Sequence, residues 1–505
     1  MAGIRPIPLR IALALSFSIT AWAHNPTVEW IKCPVGVTSP VECGQIQVPL
    51  DHAIPDGETI TLSLTRLQAT NPGCGPRQGL YIENGGPGEP NVQTPSQLAN
   101  ALSTGGNLRH WLPLVQNFDI IGVDMRGTGR SNPVQCDKDL YTKVQWPMIK
   151  DHQTYDETMA RAKEWGETCV NMTGPLINHL GTDQAIHDYE MVRQALEHDK
   201  FNYLGLSYGT QIGSEYSDMY PDHVGRMVLD GVTNRHMHEE DRMTTFAAGL
   251  DAVLADFFRW CNATTTSALY GRDQAAILDW IIDTAAKGQL FSTGCNDLLG
   301  VCGDGSAVSD WLIMLAIETS LHDGAHVDPT SKTNYQAVSY ALNYTYSERS
   351  GVIFQNKPPP ANTTVFSELA ITCSDRSDRV LSVEDFRNIW TVTPLIAPHS
   401  RGMGIVSQAL TVCTGWPVKP LNPPRDFNLI RQRSLPPVML VNSFYDEATV
   451  SPWGLGMRAN MPTAFSIYRN GSGHTSFSLQ GDTAGAITAF LANGSIPKDG
   501  TIYQS

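Results

Sequence analysis

The sequence contains little that would suit a membrane-spanning or nucleic-acid-binding protein. Beyond the first 23 residues, no stretch approaches the ~20 apolar residues that a transmembrane helix needs. Positive charge is scarce, because 35 Lys and Arg stand against 50 Asp and Glu, and the net charge of −15 argues against nucleic acids and anionic membranes as partners. There is no Cys-x-x-Cys pair and no internal repeat. We therefore expect no metal, no cofactor and no membrane span.

The start of the chain has the pattern of a secretory signal. Residues 1–23 combine two arginines, Arg5 and Arg10, with a short apolar run and an Ala-Trp-Ala cleavage pattern at 21–23. Six Asn-x-Ser/Thr sequons agree with secretion and predict N-glycosylation; they begin at Asn171, Asn262, Asn343, Asn362, Asn470 and Asn493. We therefore predict a secreted, extracellular glycoprotein.

All ten cysteines lie beyond this signal segment. An even number of cysteines in an oxidising compartment predicts disulfides. The predicted pairs are Cys33–Cys43, Cys136–Cys169 and Cys373–Cys413. The sequence does not determine the pairing of the other four, which are Cys74, Cys261, Cys295 and Cys302.

One short stretch has the pattern of a nucleophile elbow. Residues 202–209 read as a buried strand that enters Gly-x-Ser-x-Gly and continues into a helix. In this pattern a serine lies on a strained strand-to-helix turn with its hydroxyl exposed. The glycines Gly205 and Gly209 fit, because a Cβ in such a tight turn would clash. The five-residue pattern also arises by chance in long chains, so the assignment of Ser207 as a nucleophile depends on its surroundings.

Strand-like and helix-like segments alternate on both sides of this stretch. Strands are predicted at 60–66 (an edge strand), 79–83, 118–123, 226–232, 437–442 and 465–468. Most of these runs are fully apolar, which suits parallel strands buried on both faces. Residues 182–196 have the helical period, and a further helix is predicted over 483–491. The alternation predicts an α/β-hydrolase fold with a doubly wound, mostly parallel sheet.

The pattern changes after the strand that ends near Val232. From about 233 to 424, helical patterns follow one another without clear strands between them. We interpret this segment as a large helical cap inserted into the sheet domain. The predicted organisation is a signal peptide at 1–23, a first hydrolase part at 24–232, the cap at 233–424 and a second hydrolase part at 425–505.

Three residues have the order expected of a catalytic triad. A serine hydroxyl needs a histidine to take its proton and an acid to orient that histidine. In this fold class the order is Ser, acid, His, each after the C-terminal end of a strand. Asp446 follows the predicted strand 437–442, and His474 follows the next strand in a glycine-rich loop. The predicted triad is Ser207, Asp446 and His474, with Glu447 as the alternative acid.

The same reaction requires hydrogen-bond donors for the developing oxyanion. One predicted donor is the backbone N–H of Tyr208, directly after Ser207. The other is expected from the turn at 84–88, which follows an early strand. Gly85 and Gly86 have no side chains there, so their backbone N–H groups are accessible. The alternative interpretation of that turn is an ordinary glycine turn without a catalytic role.

Four motifs occur together along the chain. They are Asn-Gly-Gly-Pro-Gly at 84–88, Asp-x-Arg-Gly-x-Gly-x-Ser at 124–131, Gly-x-Ser-Tyr-Gly at 205–209 and Val-Gly-Arg-Met-Val-Leu-Asp-Gly-Val at 224–232. Together they resemble the secreted tripeptidyl-aminopeptidase branch of the proline-iminopeptidase-like α/β-hydrolases. Segments at 42–51, 370–375 and 413–417 extend the resemblance over nearly the whole mature chain, except about 236–365. The resemblance implies triad roles for Ser207, Asp446 and His474 and oxyanion roles for Gly86 and Tyr208.

The resemblance also implies that cap carboxylates hold the free α-amine of the substrate. Glu239 and Glu240, at the start of the predicted cap, are the candidates, and an exposed acidic helix turn is the alternative interpretation. The function expected is a secreted serine exopeptidase that releases short peptides or proline from free N-termini. The alternatives are an esterase or lactonase acting on a small organic molecule with the same triad, and a non-catalytic binding module.

Overall fold

The computed structural model describes residues 26–504, apart from residues 38, 107, 144, 145, 326–333, 356–363 and 378. The predicted signal peptide and the sequon at Asn362 lie outside the described residues. No helix of the described part is long and apolar enough to cross a membrane.

A mixed sheet runs through the molecule. The described strands are β1 Glu29–Ile31, β2 Val41–Pro49, β3 Thr59–Leu67, β4 Gly79–Glu83, β5 Asp119–Val123, β6 Phe201–Leu206, β7 Val224–Asp230, β8 Cys295–Asn296, β9 Val301–Cys302, β10 Val438–Tyr445, β11 Ala464–Ser472 and β12 Thr501–Gln504. Ten of these described strands form the sheet, in the order β1-β2-β3-β5-β4-β6-β7-β10-β11-β12, while β8 and β9 form a separate hairpin. The strands from β5 to β12 in this order are parallel, and β1, β2 and β3 are antiparallel to their neighbours. The mostly parallel sheet of the predicted fold class is confirmed.

Helices cover the sheet and fill the long connection between β7 and β10. They are α1 Gln93–Thr104, α2 Leu112–Asn117, α3 Lys138–Lys143, α4 His152–Thr173, α5 Thr182–Ala195, α6 Gly209–Met219, α7 Glu239–Ala263, α8 Gln274–Ala286, α9 Asp310–Ser320, α10 Tyr335–Glu348, α11 Val365–Ser374, α12 Val383–Ile396, α13 Ile405–Gly415, α14 Leu429–Gln432, α15 Ser451–Asn460 and α16 Gly481–Asn493. Short 3₁₀ turns lie at Gly174–His179, Pro221–His223 and Val352–Phe354. The predicted helices over 182–196 and 483–491 correspond to α5 and α16.

Apolar runs of the sequence became the central strands because both of their faces are covered. Every residue of β4, β5 and β6 is buried, and separate apolar clusters lie on the two sides of the sheet. The predicted strand at 60–66 is present as β3, but the prediction that it is an edge strand is wrong. β2 pairs along its full length, so β3 lies inside the sheet between β2 and β5.

The connection between β7 and β10 begins two residues earlier than the predicted boundary at Val232, since β7 ends at Asp230. Helices α7 to α13 follow one another there. They do not pack only among themselves, because α4 from the first half of the chain lies against α13. A Cβ on Gly415 would lie 2.6 Å from the Cβ of Ala162 in α4. Close packing of these two helices therefore joins the connection to the first half of the chain.

The Asp-x-Arg-Gly-x-Gly-x-Ser motif after β5 has a structural role. The guanidinium of Arg126 is fully buried and donates to both carboxylate oxygens of Asp188 in α5 at 2.7 Å. It also donates to the main-chain oxygens of Pro49 at 3.0 Å and Leu50 at 2.7 Å. Since a buried guanidinium needs a full set of acceptors, Arg126 fixes the end of β2, the loop after β5 and the helix α5 in one arrangement.

The three predicted disulfides are confirmed: Cys33–Cys43, Cys136–Cys169 and Cys373–Cys413. A fourth joins Cys295 to Cys302 across the β8–β9 hairpin. In the described structure the two remaining cysteines are unpaired, with Cys74 exposed and Cys261 buried in α7.

Candidate active site

Ser207 lies on the turn between β6 and α6. Its φ of +55° is in the left-handed region, which is strained for a residue with a side chain. Two contacts fix the turn: the Ser207 N–H donates to the Asp230 oxygen at 2.9 Å, and the Thr210 hydroxyl donates to the Ser207 oxygen at 2.7 Å. A Cβ on Gly209 would lie 2.6 Å from the Glu83 oxygen, so only glycine allows α6 to start this close to β4. The serine is left half-buried at the mouth of a cavity.

Two backbone N–H groups face the same cavity. Gly86 and Tyr208 both line it beside Ser207. Neither N–H donates to another residue of the described chain. Gly85 allows the turn to approach, since its Cβ would lie 2.9 Å from the Ser207 Cβ and 3.1 Å from the Tyr208 nitrogen. Unpaired N–H groups from two separate loops are the arrangement that binds a developing oxyanion.

Asp446 and His474 come together at the carboxyl ends of β10 and β11. His474 Nδ1 lies 2.9 Å and 3.1 Å from the two oxygens of Asp446. The carboxylate also accepts from the Thr449 N–H at 2.7 Å, the Thr449 hydroxyl at 2.9 Å and the Ala448 N–H at 3.0 Å. Asp446 is 1% exposed. A buried carboxylate with this many donors holds the imidazole ring of His474 in a single orientation.

The charges of this pair reinforce each other. Burial alone would raise the pKa of Asp446, but the His474 charge and the surrounding donors hold that pKa below its usual value. Burial alone would lower the pKa of His474, but Asp446, with Glu447 and Asp230 as further contributors, raises it above the usual histidine value. The site therefore favours an ionised aspartate that stabilises an imidazolium.

The histidine loop and the serine turn meet at the end of β7. The Asp230 oxygen accepts from the Ser207 N–H, while the Asp230 carboxylate accepts from the N–H groups of Ser476 and Phe477 at 2.8 Å and 2.7 Å. A Cβ on the next residue, Gly231, would lie 3.5 Å from His474 Cε1. No hydrogen bond joins the Ser207 hydroxyl to His474 among the described residues. Such bonds are often formed only with substrate bound.

The alternative acid, Glu447, points elsewhere. Its Oε1 lies 3.3 Å from Nδ1 of His322, a half-exposed histidine that follows α9. The His322 ring packs edge-on against the His474 ring, with 4.9 Å between centroids. The main-chain oxygen of His322 accepts a hydrogen bond from the main-chain N–H of His474 at 2.7 Å. Glu447 is 1% exposed, and its Oε2 has no hydrogen-bond partner in the described structure. It therefore acts on His474 through its charge and through His322.

Replacing Glu447 by Gln is expected to shift the pH profile. The mutation removes one of the negative charges that raise the pKa of His474, so the acid limb of kcat/KM should move to lower pH. In the parent enzyme we expect that limb above the usual histidine value of ~6.5. The measurement is kcat/KM against pH for both proteins. Identical profiles, or a parent enzyme without an acid limb down to about pH 4, would contradict a general-base His474.

Ligand atoms of Asp446, Glu447 and His474 lie within 4.8 Å of one another, a spacing that a metal ion could use. Nδ1 of His474 is already hydrogen-bonded to Asp446. A metal ion bound to Nδ1 would replace the hydrogen bond between His474 and Asp446. The three side chains are therefore not suited to hold a resident metal.

The cavity in front of Ser207 has a volume of about 140 Å³. One part of its wall is apolar, formed by Leu369, Ile405, Val406, Ala409 and Trp453. Another part is charged, formed by Arg235, Glu239, Arg242, Glu368, Asp375 and Arg376. A mostly apolar pocket with a few convergent charged groups is typical of a small-molecule or peptide-end site.

The two predicted anchor carboxylates are separated by the helix geometry. Glu239 lines the Ser207 cavity but is paired with Arg376 and lies 4.0 Å from Arg242. Glu240 lies outside, beside a neighbouring cavity, and pairs with the half-exposed Arg379. Successive residues of a helix point about 100° apart, so one helix start cannot aim both carboxylates at Ser207.

Asp375 accepts hydrogen bonds from residues next to the turn that carries Ser207. Its carboxylate accepts from the Thr182 hydroxyl, from the Tyr208 hydroxyl at 3.3 Å and from the Gln211 amide at 3.1 Å. Because Asp375 ends α11 and Tyr208 begins α6, this bond set connects the helical connection to the turn that carries Ser207. The 370–375 segment carried the resemblance described above, but the sequence did not reveal this contact.

Glu368 is a second carboxylate of the cavity, besides Asp375, that the sequence did not reveal as a site residue. It lies in the first turn of α11, and its carboxylate forms no hydrogen bond or ion pair with another described residue. Burial, with the nearby Glu89, raises the pKa of Glu368 to about 7. The start of α11 packs on the glycine turn, since a Cβ on Gly88 would lie 3.1 Å from the Glu368 nitrogen. Glu368 therefore lies on the same side of the cavity as Gly86.

The sheet, the serine turn and the histidine–aspartate pair together define a serine hydrolase of the α/β-hydrolase fold. A family model described as alpha/beta hydrolase fold matches residues 80–283, and one described as TAP-like protein matches residues 400–502. The chain is thus an α/β-hydrolase with a TAP-like C-terminal region, and the resemblance to the tripeptidyl-aminopeptidase branch is confirmed.

Three curated relatives illustrate the similarity. A tripeptidyl aminopeptidase of Streptomyces lividans is 28% identical over 457 residues, covering 85% of this chain and 77% of that protein. Serine protease Hip1 of Mycobacterium tuberculosis is 26% identical over 501 residues, covering 94% and 90%. Carboxylesterase B of Mycobacterium tuberculosis is 30% identical over 278 residues, covering 52% of each chain.

Proposed function

We propose that this enzyme is a serine exopeptidase that releases short peptides or proline from free N-termini. The observation that carries the proposal is the unpaired carboxylate of Glu368 in the cavity that also contains Ser207. The similarity to a tripeptidyl aminopeptidase over most of the chain supports it.

In the proposed reaction Ser207 is the nucleophile and His474 is the general base. His474 takes the hydroxyl proton as Oγ attacks the carbonyl carbon, and the resulting imidazolium is stabilised by Asp446. The N–H groups of Gly86 and Tyr208 bind the oxyanion. His474 then gives its proton to the leaving amine, an acyl group remains on Ser207, and water activated by His474 releases it.

Glu368 replaces Glu239 and Glu240 as the proposed anchor for the substrate's α-amine. The charge of Glu239 is already balanced by Arg376, and Glu240 lies outside the cavity. An ammonium group entering the cavity would restore Glu368 to its ionised form and gain a charge-assisted hydrogen bond. A substrate held at Glu368 would extend along the glycine turn toward Ser207.

Glu368→Gln is expected to lower kcat/KM for peptides with a free N-terminus by about 10- to 100-fold, because a buried charge-assisted bond is lost. The same variant should turn over aryl esters and N-terminally blocked substrates as the parent does, since they carry no ammonium. Glu240→Gln is the matched control and should leave all substrates unaffected. An equal loss on every substrate, or no loss on free-amine peptides, would contradict the amine anchor.

An esterase acting on a small organic substrate is the second candidate. The apolar wall of the cavity and the similarity to carboxylesterase B over half of the chain favour it. The test compares peptide amides with free and blocked N-termini and simple aryl esters on the purified enzyme. Turnover that requires the free amine supports the exopeptidase. Turnover of esters alone supports the esterase, and absence of both would contradict the two proposals together.

We also propose that the enzyme is secreted and N-glycosylated. Four disulfides are compatible with an oxidising compartment. Of the described sequon asparagines, Asn171, Asn262, Asn470 and Asn493 are exposed and Asn343 is partly buried. Mass spectrometry of the protein from its source, before and after enzymatic deglycosylation, tests both points through the new N-terminus and the glycan mass.

A further inference from the structure

The charges around the Ser207 cavity are unevenly balanced. On the α7 side, Glu239 is the common partner of two guanidiniums, those of Arg376 and Arg242. The third arginine of the cavity, Arg235, pairs with Glu215 instead. Arg242, Arg376 and Glu239 together therefore carry one more positive than negative charge, while Glu368, also in the cavity wall, forms no ion pair with another described residue.

Arg242 forms one side-chain hydrogen bond with the other described residues. Its Nη2 donates to the Asn234 oxygen at 2.7 Å, while its Nε is buried and has no hydrogen-bond partner in the described structure. The distance from Nε to Glu239 is 4.0 Å, which is too long for a hydrogen bond. Burial lowers the pKa of Arg242 to about 10, and the neighbouring Arg376 and Arg235 contribute while Glu239 opposes them. The guanidinium is thus a largely desolvated cation that lines the cavity, and its Nη1 donates to no other described residue.

The surroundings of Arg242 are rigid. Its guanidinium carbon lies 5.3 Å from the centre of the Trp453 ring, and Trp453 Nε1 donates to the Thr245 hydroxyl at 3.0 Å. Trp453 also lines the cavity, in α15 after the turn that carries Asp446. A guanidinium packed against an aromatic ring has a restricted orientation, which suits a charge-assisted hydrogen bond to a carboxylate.

We propose that Arg242, packed against Trp453, is a subsite for a carboxylate of the substrate in the cavity that also contains the proposed amine anchor Glu368. This inference extends the proposed peptidase function. It predicts a substrate with both a free amine and a carboxylate within the reach of one cavity. The carboxylate comes either from an acidic side chain or from the free C-terminus of a short peptide.

The first test uses pairs of short peptides that differ only in one charge. Glu and Gln are compared at each of the first four positions, and a free C-terminal carboxylate is compared with its amide. We expect one position to show a preference for the acid of about 10- to 100-fold in kcat/KM, the size of a charge-assisted bond. That position identifies the source of the carboxylate. An enzyme that cleaves these peptides without preference at any position would overturn the subsite.

The second test asks whether the preference resides in Arg242. In Arg242→Gln the ratio of kcat/KM for the acidic peptide to that for its amide partner should fall to within about twofold of unity. Arg242→Lys keeps the charge but loses the fork, so it should retain part of the preference. Arg379→Gln, which changes an arginine outside the cavity, is the control. An unchanged preference in Arg242→Gln would overturn the assignment, and thermal melting of each variant excludes misfolding as the cause.

The third test separates this inference from the proposed function. Glutarate and its neutral diamide are compared as competitive inhibitors of aryl ester turnover, which needs no peptidase activity. Stronger inhibition by glutarate in the parent, lost in Arg242→Gln, supports the carboxylate subsite even if no peptide is cleaved. Equal inhibition by both compounds overturns the subsite even if peptides are cleaved with a free-amine requirement.

Discussion

Ser207→Ala is expected to lower kcat by about 10⁴- to 10⁶-fold on every substrate of the enzyme. The hydroxyl is the proposed nucleophile that forms the acyl intermediate. The fold should remain intact, since Ser207 is half-buried and its hydroxyl forms no hydrogen bond with another described residue. The measurement is kcat on a free-amine peptide amide and on an aryl ester, with the melting temperature of each protein.

His474→Ala should lose nearly as much, and the double variant little more, because serine and histidine act as one unit. Ser214→Ala, a change in the same helix away from the cavity, is the matched control and should retain full activity. A Ser207→Ala enzyme within tenfold of the parent would contradict the triad.

Asp446→Asn should lower kcat by roughly 10⁴-fold. The carboxylate accepts hydrogen bonds from His474 Nδ1 and from Thr449. The NH₂ group of an asparagine is itself a donor, so it could not accept the hydrogen bonds that the replaced carboxylate oxygen accepts. The imidazole would then lose the orientation and the proton position that a general base needs. We expect the loss in kcat with little change in KM, because Asp446 does not line the substrate cavity.

Glu447→Gln is the matched control for this change, because it alters the neighbouring buried carboxylate. It should shift the pH profile but keep kcat at its optimum within about tenfold. If the two variants lost equal activity, Asp446 would have no special relation to His474, and the assignment of the acid would be wrong.

The sequence was most informative where local physics decides the structure. Apolar runs identified the central strands, and Gly79–Glu83 was predicted with its observed bounds. Residues that follow strand ends were predictable as site candidates, because parallel strands deliver their carboxyl ends to one edge. Asp446 and His474, which each follow such a strand end, are in contact in the structure, and the triad that they would form with Ser207 stays a prediction.

The sequence was least informative about the cavity wall. Glu239, Glu240 and Glu368 are all acidic residues in the first turn of a helix. Only packing between helices determines that Glu239 meets Arg376, that Glu240 meets Arg379 and that Glu368 meets no cation. The same limit applies to His322, whose contact with His474 joins segments 152 residues apart in the chain. No local pattern encodes such contacts.

The central claim is that Ser207 is the nucleophile of a hydrolase activated by His474. The most direct measurement is covalent labelling with a serine-reactive aryl phosphonate, followed by digestion and mass spectrometry to locate the modified residue. The account predicts a single phosphonate adduct on Ser207, with labelling strongly slowed in His474→Ala and absent in Ser207→Ala. An adduct on another serine, or an active enzyme that the phosphonate neither labels nor inhibits, would contradict it.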